Sequence, residues 1–174
     1  MANRFWSGIA GVGALLGGVA WLVKSTWILA GRAQPFLLFE VAPLFFAVTV
    51  TSLGLASDGV GTHRRAAVPT LGCIGAIAAT VAATTEIAGN LWGPSIAVAV
   101  LAVVAGLLLF DRRRSPTDRL AWWIGAVLLP AVLLGGVLTV LDERLLELPL
   151  AVIAALWIWL GGLLLRQASK PPSR

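Results

Sequence analysis

The chain has 174 residues, 59% hydrophobic and 12% charged, with a mean hydropathy of +0.92 and a formal net charge of +5. Soluble domains carry about 25% charged residues, so a water-soluble fold is excluded: this much apolar surface exceeds what one small core can hide and must face lipid. The basic excess does not point to nucleic acid, because the arginines and lysines stand in short breaks between apolar runs and no aromatic-interleaved patch offers a stacking platform.

A hydrocarbon core of about 30 Å takes roughly 20 helical residues at 1.5 Å each. That ruler predicts an all-α polytopic bundle of about six transmembrane spans. They form one domain over 1–168, with spans near 5–23, 35–56, 67–89, 94–110, 120–141 and 148–165 and a short tail at 169–174.

The first run follows Met1–Arg4 and carries Trp6 at its start and a GxxxG at Gly13 and Gly17. Lys24 and further apolar runs follow it without an A-x-A-like cleavage site, so it reads as a retained span and not a leader. It can also run on through Ala30, which would place Lys24 inside it. The second span opens at Pro35 and contains Glu40 and an internal Pro43. The third has Pro69 near its start, then Gly72, Gly75, Ala76, Ala79, Ala82 and Ala83, a spacing of small residues that lets helix backbones approach closely. It is therefore expected to be the central helix, with the lone Cys73 as a small packing residue and Glu86 near its far end.

After Asn90 and Trp92 the fourth span opens at Pro94. The fifth follows the most charged segment, Asp111 to Arg119, and carries Trp122 and Trp123 at its start and Pro130 inside. Pro43 and Pro130 correspond if the chain is two three-span halves of opposite topology, as in transporters with interrupted helices, although no residue-level repeat accompanies them. The turn Asp142 to Glu147 is net acidic and reads as solvated. The sixth span opens at Pro149, with Trp157 and Trp159 deep enough to suggest lipid-facing packing.

Alternate joins divide the basic residues unequally. Arg4, Arg64, Arg65, Arg112, Arg113, Arg114, Arg119, Arg166, Lys170 and Arg174 fall on one side; Lys24, Arg32 and Arg144 fall on the other. The first side is expected to be cytoplasmic, with both termini there. Trp6, Trp122 and Trp123 then stand at the inner interface, Trp27 and Trp92 at the outer.

Few side chains invite chemistry. Glu40 and Glu86 are the two carboxylates within the expected spans, both in the outer half, with Lys24, Arg32 and Asn90 in the same layer. A carboxylate at that depth is costly unless paired, hydrated or protonated. The cluster admits a structural ion pair, or a polar or transport site for a cation or proton. His63 is the sole histidine and Cys73 the sole cysteine, so no haem or zinc set exists and no cofactor or metal is expected. The Asp111–Arg119 segment reads as an orientation determinant touching headgroups, or as a place for anionic lipid or an acidic partner.

The expectation is a noncatalytic subunit or scaffold, not an enzyme, in a bacterial plasma membrane. It would contact the lipid bilayer and another membrane protein or itself, with Gly13, Gly17, Gly72, Gly75 and Ala79 as packing positions. The alternative is a small-solute or proton-coupled transport component built on Glu40 and Glu86.

Overall fold

The computed structural model describes residues 2–33, 35, 38–57, 62–89, 93–138 and 141–170, except the side chains of 2, 39, 40, 62, 63, 93, 135, 136, 138 and 143. Its six α-helices are α1 (Ala2–Leu29), α2 (Leu38–Ala56), α3 (Thr62–Ile87), α4 (Gly93–Leu108), α5 (Pro116–Leu138) and α6 (Glu147–Ser169), the last preceded by a 3-10 turn at Glu143–Leu146. There is no strand among the described residues. Four helices, α1, α3, α5 and α6, are long and apolar enough to cross a membrane; α2 and α4 are shorter apolar helices.

Local chemistry sets the helix ends. Gly31 takes φ 79° after α1, where its N–H bonds Ile28 C=O and the Arg32 N–H bonds Trp27 C=O. That pair of bonds is a Schellman close, which needs a residue free to adopt the left-handed region. Gly89, at φ 76°, ends α3 in the same conformation. At the start of α5 the Ser115 hydroxyl accepts the Asp118 N–H at 3.0 Å, with Pro116 in the first turn, where its missing donor costs nothing. Threonines inside the helices satisfy themselves: Thr51, Thr70 and Thr80 each donate to the carbonyl four residues back. That is how a hydroxyl survives where no water is at hand.

Each helix packs on its neighbours in sequence, α6 returns to close on α1, and α2 also touches α4. The α1–α6 seam is the most extensive. Among the described residues α3 meets α2 and α4 alone, so it sits outside the edge those two make, and α1, α2, α4, α5 and α6 enclose the core. The expectation of a central third helix is thus overturned: 28% of its apolar stretch is buried, against 39% for α1, α5 and α6. Its small residues bring one side close to α2 without surrounding it.

Close approach is built from glycine. A methyl on Gly13 would lie 2.8 Å from Thr49 Oγ1, and one on Gly17 2.5 Å from the Phe46 ring, so both face α2. Gly18 meets the Ala154 carbonyl of α6, while Gly161 of α6 meets the Gly11 carbonyl. Gly72 would press on the Thr51 backbone, and Gly75 faces Ala47 and Ala99, with Ala79 wholly buried nearby in the α3–α4 packing. The GxxxG of α1 is therefore spent inside the chain, against α2. Cys73, by contrast, is exposed on α3 and does not pack.

Aromatic rings fill the centre of the bundle. Phe46 stacks on Trp157 at 4.1 Å between centroids and 14° between planes, and Trp21 meets Phe46 edge-on at 5.1 Å. Trp157 is fully buried, which corrects the lipid-facing expectation; Trp159, at 61% exposed, is the one that faces outward. Pro69 lies inside α3 and not at its start; its ring occupies the space over Gly54, where a methyl would meet it at 2.6 Å.

Candidate functional site

α1 continues to Leu29, so Lys24 sits inside the helix about 8 Å from its end. Its ammonium donates to Glu147 Oε1 at 2.6 Å, and Ser25 Oγ donates to Glu147 Oε2 at 2.8 Å. Lys24, Ser25 and Glu147 are 2%, 0% and 3% exposed. Burying two ions in an apolar bundle costs several kcal/mol each, and only close geometry with further hydrogen bonds offsets that. Here both carboxylate oxygens are engaged by donors from adjacent residues of α1. Pro149, in the first turn of α6, and the 3-10 turn before it fix Glu147 at the helix entry.

Of the rest of the predicted outer cluster, Glu86 and Arg32 are described, and neither is the partner of Lys24 in this pair. Glu86 lies in the last turn of α3, a helix that does not touch α1. Its Oε2 is buried and has no hydrogen-bond partner among the described residues. Arg32 is exposed, its guanidinium carbon 4.2 Å from the centroid of Trp27. Glu40 is in the first turn of α2, and its side chain, like Asn90, lies outside the described residues. Lys24 therefore finds its carboxylate on α6, at a residue read from sequence as part of a solvated acidic turn. Arg144 in that turn packs over Gly31, a methyl on which would lie 3.2 Å from the guanidinium.

The opposite end is basic. One recess of about 260 Å³ is lined by Asn3 and Ser7 of α1, Ser57 after α2, Arg114 and Thr117 at the start of α5, and Gln167 of α6. A second, of about 150 Å³, adds Arg64 and Arg65 of α3 and Phe110 after α4. The starts of α1, α3 and α5 thus meet the ends of α2, α4 and α6, so successive helices run in opposite directions. Gln167 Nε2 donates to Thr117 Oγ1, tying α6 to α5 at this end as Glu147 ties it to α1 at the other. Between α1, α4, α5 and α6 lies a further cavity of about 330 Å³ with an entirely apolar lining that includes Trp21, Val100, Leu129 and Leu150. It offers shape to a hydrocarbon chain but no reacting group.

No group of three or more histidine, cysteine, aspartate or glutamate side chains stands in metal-binding range among the described residues. Comparison with protein-family models, with curated proteins and with solved structures gives no match to this chain. Sequence reasoning missed Glu147 and Ser25. The usable signal was the apolar run on both sides of Lys24: a lysine inside a helix that long requires a carboxylate, and Glu147 heads an apolar helix of its own.

Proposed function

We propose that the chain is a six-span protein of a bacterial plasma membrane, both ends cytoplasmic, acting as a noncatalytic subunit or scaffold for another membrane protein or a second copy of itself. The observation that carries this reading is the Lys24–Glu147–Ser25 tie. The described charges buried deepest in the bundle are consumed by each other, so they hold α6 to α1 and leave no open valence for a passing solute. Six spans are supported by the alternation of the helices. At 19 and 16 residues, α2 and α4 reach about 28 and 24 Å, close to the hydrocarbon thickness. The orientation follows from the arginines that the alternation collects at one end.

Purification of the tagged chain from its host membranes in a mild detergent, with mass spectrometry of what accompanies it, tests the subunit reading. A stoichiometric membrane partner or a defined homo-oligomer is expected; recovery as a bare monomer sinks it. Reporter fusions after Arg174 and within the 142–147 turn test the orientation, with activity expected from a cytoplasmic reporter at the first and an exported one at the second.

One observation favours a second reading, a small-solute or proton-coupled transport component. The Glu86 carboxylate oxygen near the end of α3, buried and without a partner among the described residues, is an acceptor that a cationic solute could use. Under that reading Glu86→Gln abolishes flux while leaving the melting temperature unchanged; under the subunit reading, recovery of the partner is unaffected by it.

A further inference from the structure

We propose that the basic end of the bundle holds a specific site for a phosphate-bearing anion, presented as the headgroup of an anionic glycerophospholipid. Arg64, in the first turns of α3, and Arg112 and Arg113, in the turn between α4 and α5, line one recess of about 410 Å³. Arg64 also lines the adjoining 150 Å³ recess with Arg65. None of these four arginines makes an ion pair among the described residues.

Asp111 also lines this recess, and its Oδ1 accepts the Arg113 backbone N–H at 2.9 Å, shaping the turn that carries Arg112 and Arg113. Three arginines lining a space of this size outnumber the one carboxylate there and suit the oxygens of a phosphodiester, which guanidinium groups bind by charge-assisted and bidentate hydrogen bonds.

Position selects lipid over a soluble phosphate. The apolar stretches of α3 and α5 begin at Arg64 and Pro116, so the recess opens at headgroup level. Its other wall is Leu108, Leu109 and Trp122, a surface for the first methylenes of an acyl chain. Arg112 lies 5.2 Å from the centroid of Trp122, which holds the guanidinium beside that wall, and neighbouring Trp123 is half exposed in the manner of an interfacial indole. The proposal rests on the membrane reading of α3 and α5 and not on the identity of a partner, so its failure leaves the subunit reading standing.

The test is native mass spectrometry of the full chain in neutral detergent, titrated with phosphatidylglycerol and with phosphatidylcholine of equal chain length. Phosphatidylglycerol is expected to bind roughly tenfold more tightly or better. The triple variant Arg64→Gln/Arg112→Gln/Arg113→Gln is expected to lose that preference. The triple variant Arg4→Gln/Arg166→Gln/Lys170→Gln removes the same charge from the same end outside the recess and is expected to keep it. Should the recess triple fail to fold, Arg112→Gln/Arg113→Gln, confined to an exposed turn, replaces it and is expected to lose most of the preference. Equal losses in both triples, or an unchanged preference in the recess variant, overturn the site. Displacement of the lipid by low-millimolar glycerol 3-phosphate or inorganic phosphate overturns the lipid assignment.

Discussion

Lys24 and Glu147, 123 residues apart in sequence, meet at 2.6 Å inside the bundle and close its chain-terminal helices on each other. The closure follows from cost. Neither ion can be left alone in an apolar interior, so the α1–α6 seam holds the one register in which they face. Removing one partner strands the other, which costs about 3–5 kcal/mol, whereas replacing both with apolar groups of similar volume is close to neutral. Glu147→Gln is therefore expected to lower the melting temperature in detergent sharply, and Lys24→Met/Glu147→Leu to recover most of the loss. A double-mutant cycle with no coupling between the two positions would refute the tie.

The helices were legible in sequence as long apolar runs: the six runs read from hydropathy fall on α1 to α6, four of them long and apolar enough to cross a membrane, with ends differing by up to six residues. Those differences have physical causes. α1 runs on to Leu29 because Lys24 is neutralised from another helix, and Gly31, not the charge, ends it. α3 starts before Pro69 because the ring fits over Gly54. The glutamate partner of Lys24 was half legible: the apolar run around Lys24 called for a carboxylate, but local sequence places Glu147 beside Asp142 and Arg144, and only the return of α6 onto α1 takes it out of water. The position of α3 was misread for a related reason. Small residues report how near a neighbour comes, not how many neighbours there are.

Gly72 sets the α2–α3 distance. A methyl there would lie 2.6 Å from the Thr51 backbone nitrogen, which cannot swing aside as a side chain would. Overpacking of this kind costs about 1–3 kcal/mol. Gly72→Ala is expected to lower the melting temperature, while Gly162→Ala, with nothing within 4 Å, leaves it unchanged or slightly raised. Equal melting temperatures would show that α2 and α3 are not packed as described.

The two tryptophans of α6 are expected to part company on truncation. Trp157 is fully buried and stacked on Phe46, so Trp157→Ala empties the centre of the ring of helices, where large-to-small changes cost about 3–5 kcal/mol. Trp159, mostly exposed, loses only contacts that lipid or detergent chains replace. Chemical or thermal denaturation of the two variants in one detergent gives the comparison, and a similar loss in both would place Trp157 outside the core.

Cys73 offers a direct check on what surrounds α3. It is exposed on the helix surface, twelve residues from the first residue counted inclusively, near the middle of a 26-residue helix. A charged maleimide travels through water, and a thiol facing hydrocarbon has none beside it. In intact membranes Cys73 is expected to resist a charged, water-soluble maleimide for hours, and to react fully once the protein is denatured in sodium dodecyl sulfate. Quick labelling in the folded state would mean that water reaches the middle of α3. That result would move the balance from a lipid-facing helix to one wall of an aqueous path, and with it from the subunit reading to the transport reading centred on Glu86.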